Sequence, residues 1–295
     1  MEQIELTHGP LSFTTHACGS ASAPVVLCLH GFPDNPHTFR HLLLALAEAG
    51  YRGVAPTMRG YEPSSQPEDG DYTIGAMVED VLAWIDGLGV EQVHLVGHDW
   101  GAVVAYVAAA VAPQRFSSLT TMAVPHTLRI AQGVRRVPSQ VWKVWYQGFF
   151  QLRGIAEWAL KRNDWALIKR LCATWSPGFS LDETEWENRR ETFEAPGVLQ
   201  AMLAYYRQNL SPRIMLGSIP AEARDLTRIP VRTLALTGAE DGCIDTRLYD
   251  HVFLEEDFPA GFTVERIDGA GHFLHLDSPD IVNALVVQWI RNSVA

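Results

Sequence analysis

The stretch that decides the fold of this 295-residue chain is Gly97-His98-Asp99-Trp100-Gly101. The residues just before it, Val93-His94-Leu95-Val96, predict a short apolar strand, and the alanine- and valine-rich residues 102–109 predict a helix. A strand, a G-x-D-x-G turn and a helix in this order predict a nucleophile elbow, which raises one side chain above a parallel sheet. Glycines suit this turn because the strand and the helix pack too closely for a Cβ atom.

The residue at the apex of this turn is an aspartate, Asp99, and that choice limits the chemistry. A carboxylate that attacked an ester would only yield a mixed anhydride. Against a saturated carbon that bears a leaving group, a carboxylate forms a covalent alkyl ester, which water then cleaves. This indicates attack on an epoxide or on a carbon–halogen bond. The alternative is a structural role, in which Asp99 caps a helix at 100–112.

Length and composition are those of a soluble globular protein, with 47% hydrophobic and 19% charged residues. The net charge of −11 argues against a nucleic-acid or anionic-membrane partner. We therefore interpret the basic pairs Arg135-Arg136, Lys161-Arg162 and Lys169-Arg170 as solvated helix faces. Residues 1–5 lack the features of a signal peptide, and no apolar run approaches a membrane-spanning length.

The cysteines indicate the redox compartment. They are scattered without C-x-x-C spacing, at Cys18, Cys28, Cys172 and Cys243. Such a pattern predicts reduced thiols in a cytoplasmic protein, and neither a metal site nor a disulfide framework.

Strand and helix signals alternate over residues 1–125 and again over 226–295. Continuously apolar strands, such as Val25–Leu29, predict a mostly parallel, doubly wound sheet covered by helices on both faces. A further strand is predicted at Val231–Thr237. Residues 126–225 carry no strand signal and are rich in tryptophan. We predict a core made of the first two ranges, with a helical cap inserted over the carboxyl edge of the sheet.

A covalent ester on Asp99 needs a base that activates water, and histidine is best matched to neutral pH. The candidate is His272 in Gly269-Ala270-Gly271-His272-Phe273, which follows the predicted strand Thr263–Ile267. The chain order nucleophile, acid, histidine places the base last. His275, three residues further on, is the rival.

The base needs a carboxylate that fixes its tautomer and stabilises the imidazolium. Asp241 follows the strand that ends near Thr237 and precedes a helix predicted near 245–255. Glu240 and Asp245 are neighbouring alternatives, and Asp241 could also serve only to cap the next helix.

Hydrolysis of an ester on Asp99 would place negative charge on the carboxyl oxygen of Asp99 itself. We expect oxyanion-hole N–H donors from Trp100, just past the nucleophile, and from Phe32 in His30-Gly31-Phe32-Pro33. The side chains of Phe32 and Trp100 are predicted to form walls of the substrate pocket.

Together these residues resemble the epoxide hydrolases of the α/β-hydrolase superfamily, which use an aspartate nucleophile. The motifs that carry the resemblance are His30-Gly31-Phe32-Pro33-Asp34, Gly97-His98-Asp99-Trp100-Gly101 and Gly269-Ala270-Gly271-His272-Phe273. The resemblance implies an α/β-hydrolase fold with an eight-stranded sheet and an inserted helical cap. It also implies a cofactor-independent enzyme that converts an epoxide into a vicinal diol. In such folds the acid usually falls three residues after the glycine that ends its strand, which selects Asp241.

The resemblance further implies two cap tyrosines that hydrogen-bond the epoxide oxygen and protonate the emerging alkoxide. By motif, Trp145-Tyr146-Gln147 and Tyr205-Tyr206-Arg207 carry these roles to Tyr146 and Tyr206. Tyr205 is the neighbour most easily confused with Tyr206. A tyrosine in an aromatic-rich cap can also be a packing residue.

Two other functions stay open. Haloalkane dehalogenases use the same nucleophile but usually carry an asparagine where this chain has Phe32, and haloacetate dehalogenases usually carry an arginine where it has Trp100. Both departures favour an epoxide as substrate, and the tryptophan-rich cap indicates that it is small and apolar. A non-catalytic, ligand-binding member of the superfamily is the third option. The oligomeric state is left open, with a homodimer among the options.

Overall fold

A single eight-stranded sheet organises the part of the chain that the computed structural model describes, namely residues 1–178, 183–210 and 225–293. The strands are β1 (Glu2–His8), β2 (Leu11–Cys18), β3 (Val25–Leu29), β4 (Arg52–Pro56), β5 (Val93–His98), β6 (Phe116–Met122), β7 (Thr233–Gly238) and β8 (Phe262–Ile267). Their order across the sheet is β1-β2-β4-β3-β5-β6-β7-β8. Strand β2 is antiparallel to β1 and β4, and all pairings from β4 to β8 are parallel. The predicted mostly parallel sheet is confirmed.

The helices in chain order are α1 (Arg40–Glu48), α2 (Ile74–Gly87), α3 (Trp100–Val111), α4 (Ile130–Arg136), α5 (Gln140–Lys143), α6 (Trp145–Phe149), α7 (Ile155–Trp175), α8 (Glu183–Glu194), α9 (Val198–Asn209), α10 (Tyr249–Val252), α11 (Leu274–Asp277) and α12 (Pro279–Arg291). Alternate residues of the buried strands face opposite sides, so the sheet has two apolar cores. Leu27 packs in the core that contains α2 and α3, whereas Val26 packs in the core that contains α1 and α12. Helices therefore cover both faces, as predicted for a doubly wound sheet. Across the described residues, no helix has both the length and the apolar composition needed to cross a bilayer.

The segment between β6 and β7 contains helices α4 to α9 and no strand among its described residues. Helix α7 is interrupted at 162–165, where the backbone leaves helical dihedral angles. The helical character agrees with the cap predicted over 126–225. Residues 179–182 and 211–224 of that range lie outside the described residues, so the division of the chain into core and cap stays a prediction.

Candidate active site

Asp99 lies at the predicted elbow, between the end of β5 and the start of α3. Its φ of 51° and ψ of −119° are a strained combination for a residue with a side chain. A Cβ atom on Gly101 would lie 2.0 Å from the carbonyl oxygen of Leu29, so only glycine lets α3 approach β3 this closely. The Asp99 side chain makes no capping hydrogen bond to α3. This geometry therefore does not support a role for Asp99 as only a helix cap.

The Asp99 carboxylate faces the loop that follows β3. Its Oδ1 accepts a hydrogen bond from the backbone N–H of Phe32 at 2.7 Å. Among the hydrogen bonds of the described residues, none joins the Trp100 N–H to this carboxylate. About a tenth of the side-chain surface of Asp99 stays accessible (10%), so the carboxylate is enclosed but not sealed.

His272 lies between two carboxylates, in the loop that follows β8. Its Nδ1 is 3.0 Å from Asp241 Oδ2, and its Nε2 is 3.4 Å from Asp99 Oδ2. The rival His275 is engaged elsewhere, because its Nε2 lies 2.6 Å from Thr38 Oγ1. Of the two predicted histidines, only His272 contacts the nucleophile.

Asp241 performs two structural tasks at once. Its Oδ1 accepts backbone hydrogen bonds from Cys243 at 2.7 Å and Ile244 at 2.8 Å, while its Oδ2 faces His272. Asp241 does not cap the next helical turn, Thr246–Leu248, because the N-cap residue of that turn is Asp245, whose side chain accepts a hydrogen bond from Arg247 N. Of the two sequence-based interpretations, the geometry supports orientation of the base. The neighbouring candidates lie apart from His272, since Glu240 is exposed and Asp245 pairs with Arg247.

The three side chains form a charged chain inside the protein. Burial would lower the pKa of His272, but attraction and hydrogen bonding from Asp241 and Asp99 outweigh it and raise the pKa of His272 to about 10. Burial would raise the pKa of Asp99, but the neighbouring His272 outweighs burial and holds that pKa below its usual value. Before any reaction, Asp99 is therefore an ionised carboxylate paired with an imidazolium.

Two tyrosines from different helices meet above the elbow. Tyr146 on α6 and Tyr206 on α9 have ring centroids 5.8 Å apart. The Tyr206 ring also meets Phe32 and Trp100 edge to face, at 5.4 and 5.2 Å between centroids. Burial raises the pKa of both tyrosine hydroxyls well above the usual range, and the Asp99 charge adds to this effect. Both therefore stay protonated and able to donate.

The two hydroxyl groups differ in their partners. The Tyr206 hydroxyl is buried and makes no hydrogen bond of ordinary geometry with a described residue. The Tyr146 hydroxyl lies 3.4 Å from Cys243 Sγ. Tyr205, the neighbour easily confused with Tyr206, donates its hydroxyl to the carbonyl oxygen of Arg59 at 2.7 Å. This contact gives Tyr205 a structural role, because it joins α9 to the loop after β4.

The end of α7 contributes contacts that sequence reasoning missed. The carbonyl oxygen of Trp175 accepts hydrogen bonds from Gly242 N at 3.0 Å and His272 N at 2.9 Å. Ser176 Oγ accepts a hydrogen bond from Phe273 N at 2.8 Å. This end of α7 therefore joins the loop of Asp241 to the loop of His272. Trp175 was one of six tryptophans in the predicted cap, and nothing in the sequence distinguished it.

One buried group could in principle hold a metal ion. Asp34, His98 and His275 bring a potential ligand atom each to within 4.8 Å of one another. The guanidinium of Arg189 on α8, however, donates to Asp34 Oδ2 at 3.2 Å and puts a positive charge at the same place. A cation would have to compete with Arg189. We therefore interpret Asp34 as the ion-pair partner of Arg189, a contact that joins α8 to the loop after β3.

The chain is similar to known proteins over most of its length. The family model for the alpha/beta hydrolase fold matches residues 24–279. The chain is 31% identical to the AB hydrolase superfamily protein YfhM of Bacillus subtilis (strain 168), over 94% of this chain and 93% of that protein. It is 30% identical to Epoxide hydrolase 3 of Xenopus tropicalis, over 98% of this chain and 77% of that protein. The crystal structure of a Bacillus megaterium epoxide hydrolase in complex with an inhibitor is similar, with 25% identity, a TM-score of 0.83 and coverage of 98% of this chain and 100% of that chain.

These similarities extend over nearly the whole chain, so they include both the sheet and the helices inserted between β6 and β7. They confirm the resemblance that three short motifs had indicated. The chain therefore belongs to the alpha/beta hydrolase fold family, as a relative of its epoxide hydrolases.

Proposed function

We propose that this protein hydrolyses a small apolar epoxide to a vicinal diol through a covalent ester on Asp99. The observation that carries the proposal is the pairing of an ionised carboxylate at the elbow with two protonated tyrosines packed above it. A nucleophile and acids for the leaving oxygen are what ring opening requires. Relatives named epoxide hydrolases add support.

In the first step, a carboxylate oxygen of Asp99 attacks a ring carbon from the side opposite the C–O bond that breaks. The ring oxygen leaves as an alkoxide, which is strongly basic and needs hydrogen-bond donors as it forms. Tyr206 and Tyr146 donate to it, and one of them transfers its proton. The products of this step are a hydroxyalkyl ester of Asp99 and a tyrosinate.

The ester changes the state of His272. Esterification removes the negative charge of Asp99, so only Asp241 still stabilises the imidazolium and the pKa of His272 falls. The imidazolium can then give up its proton, which restores the tyrosine. His272 is now a neutral base, held in place by Asp241.

In the second step, His272 takes a proton from water and the hydroxide adds to the carbonyl carbon of Asp99. The N–H of Phe32, 2.7 Å from Asp99 Oδ1, stabilises the oxyanion. The intermediate collapses with cleavage of the bond to the alkyl oxygen, which leaves as the diol after protonation. The remaining proton stays on His272, and the carboxylate–imidazolium pair is regenerated.

The walls of the site favour an apolar substrate. Phe32, Trp100 and Phe150 surround Tyr206 edge to face, and all are buried. Such walls offer few polar partners apart from the two tyrosine hydroxyls. A cytoplasmic location is part of the proposal and is supported by the four cysteines being free thiols.

A product assay separates this function from dehalogenation. Purified protein is given an aryl epoxide such as styrene oxide, and in parallel a terminal bromoalkane. We expect diol from the first and no halide from the second, with Asp99→Ala inactive on both as the control for contaminating enzymes. Halide release with no diol would favour a dehalogenase, and turnover of neither would favour a ligand-binding protein.

A further inference from the structure

The outer surface of α5, α6 and the first half of α7 is unusually apolar. Ten large apolar side chains are exposed among the described residues, and six of them lie within residues 141–158. These six, here called the apolar patch, are Val141, Trp142, Trp145, Leu152, Ile155 and Trp158. Trp142 is 81% exposed and Trp158 is 58% exposed. Tryptophans this exposed mark a surface that contacts something outside the molecule.

The same part of the chain is basic. Residues 129–170 contain nine lysines and arginines and two acidic residues, whereas the whole chain has 23 basic and 34 acidic residues. Six of these cations are exposed: Arg135, Arg136, Arg153, Lys161, Arg162 and Arg170. The first five are here called the basic rim. None of these five forms an ion pair within the described part of the chain. Other cations of residues 129–170 do form ion pairs: for example, Arg129 pairs with Asp257, and Lys169 pairs with Asp164.

The apolar patch and the basic rim are interleaved. On α7, Ile155, Trp158 and Arg162 follow at intervals of three and four residues, which places them along one face. The guanidinium carbon of Arg162 lies 4.5 Å from the centroid of the Trp158 ring. On α6, Trp145 is half exposed while the adjacent Tyr146 is buried in the site. One short helix thus presents an aromatic ring outwards and the proposed acid inwards.

We propose that the apolar patch and the basic rim dock this protein on an anionic phospholipid bilayer without crossing it. Tryptophan settles at the boundary between headgroups and acyl chains, and neighbouring lysines and arginines are attracted to anionic lipids. The net charge of −11 argued against such a surface, but that value averages over the whole molecule. Electrostatic attraction is largely screened beyond roughly 8–10 Å at physiological salt. Binding to the bilayer therefore depends on the local excess of cations and not on the net charge of the molecule.

A second copy of the chain fits this surface less well. A two-fold symmetric dimer built on this surface would place one patch against the other, which brings the two sets of basic-rim cations close together. Like charges brought together in this way disfavour association. A lipid surface instead supplies the missing negative charge and an apolar layer for the tryptophans.

The test uses full-length protein and vesicles, without any substrate, so its outcome does not depend on the proposed reaction. We expect cosedimentation with vesicles of phosphatidylcholine and phosphatidylglycerol, weak association with pure phosphatidylcholine, and release at high salt. Two variants probe the surface, Trp142→Ser with Trp158→Ser, and the five basic-rim residues changed to glutamine. Each should weaken partitioning by about tenfold or more. The glutamine variant leaves every buried residue in place, so it guards against misfolding of the tryptophan variant.

The matched control is Leu44→Ser with Ile281→Ser, which removes exposed apolar side chains outside the cap. It should bind anionic vesicles as the unmodified protein does. The proposal is overturned if anionic and neutral vesicles bind equally, or if the control loses as much binding as the patch variant. It is also overturned if the patch variants change sedimentation from dimer to monomer and leave vesicle binding unchanged.

Discussion

The reacting groups on the sheet and those on the inserted helices are held in different ways. On the sheet side, Asp99, Asp241 and His272 follow strand ends. The two carboxylates accept backbone hydrogen bonds at 2.7–2.8 Å, and the His272 and Asp241 side chains are 3.0 Å apart. On the helical side, Tyr146 and Tyr206 are held mainly by aromatic packing. Among the described residues, the Tyr206 hydroxyl makes no hydrogen bond of ordinary geometry, and the Tyr146 hydroxyl lies 3.4 Å from Cys243 Sγ.

This difference has a functional consequence. Groups that act as a unit and are each held by charge cannot substitute for one another, so losing one should stop a step. Two hydroxyls that donate to the same substrate oxygen can partly replace each other. We therefore expect steep losses on the sheet side and graded losses on the helical side.

The largest effect should come from His272→Gln. The nucleophile and the Phe32 N–H remain, so ring opening continues, but no base activates water. Turnover should fall by about three orders of magnitude or more. The protein should accumulate one equivalent of ester, measured as an intact-mass increase equal to the epoxide.

His275→Gln is the matched control, because that histidine contacts Thr38 and not Asp99. It should turn over without a lasting adduct. If His272→Gln gains no mass with an epoxide that the unmodified protein consumes, His272 does not act in ester hydrolysis.

The next effect concerns the tyrosine pair. Tyr206→Phe and Tyr146→Phe should each slow ester formation by roughly 10- to 100-fold, and the double variant by about 10⁴-fold. Tyr206→Phe should be the more severe single change, because its hydroxyl is free to meet the substrate. Rapid-quench measurement of ester formation gives these rates.

Tyr205→Phe serves as the control for the tyrosine pair. It removes the hydrogen bond to Arg59 O and should cost about 1 kcal/mol of unfolding free energy, with ester formation nearly unchanged. Equal rates for the single and double variants at positions 146 and 206 would contradict a shared role.

A third prediction uses pH to compare two states of the same histidine. The pKa of His272 is raised to about 10 in the free protein because Asp99 and Asp241 are both charged. In the ester Asp99 is neutral, so the pKa of His272 must be lower. Because only the neutral imidazole is a base, ester hydrolysis should accelerate as pH rises through an apparent pKa below about 10. Single-turnover decay of the ester across pH measures this value, and an apparent pKa of 10 or above would rule out the charge-loss argument.

The smallest effect should come from Cys243→Ala. This change removes the thiol beside the Tyr146 hydroxyl but keeps the backbone N–H that holds Asp241. Ester formation should slow by about threefold to tenfold, and the rate of ester decay should not change. Cys243→Ser, which keeps a polar partner, should restore most of the rate. An effect on ester decay would show that the loop of Asp241 depends on the thiol.

The sheet side was also the more predictable from sequence. Apolar strands of fixed length and glycine-framed turns carry strong local signals, and β3 has the predicted bounds. The helix predicted near 245–255 is shorter in the structure: a 3₁₀ turn at Thr246–Leu248 leads directly into α10, and the backbone becomes extended at Phe253. At this point Phe253 stacks on Tyr249 and Phe258 and also contacts Phe262 at the start of β8.

The contacts that join the two sides were not predictable. The carbonyl oxygen of Trp175 accepts hydrogen bonds from the N–H groups of Gly242 and His272. Every residue has a backbone carbonyl, so the residue type does not reveal such a contact. The buried pair of Asp34 and Arg189 joins positions 155 residues apart. Motifs identify the residues proposed to react, whereas the contacts that join the inserted helices to them depend on the folded chain.

The most direct test of the account is a single turnover in ¹⁸O-labelled water with enzyme in excess over the epoxide. If Asp99 is the nucleophile, the first diol takes its new oxygen from the Asp99 carboxylate and carries no label. The label then enters the peptide that contains Asp99, as mass spectrometry of the digested protein would detect. Labelled diol in that first turnover, with an unlabelled Asp99 peptide, would mean that water attacks the epoxide directly and would contradict the account.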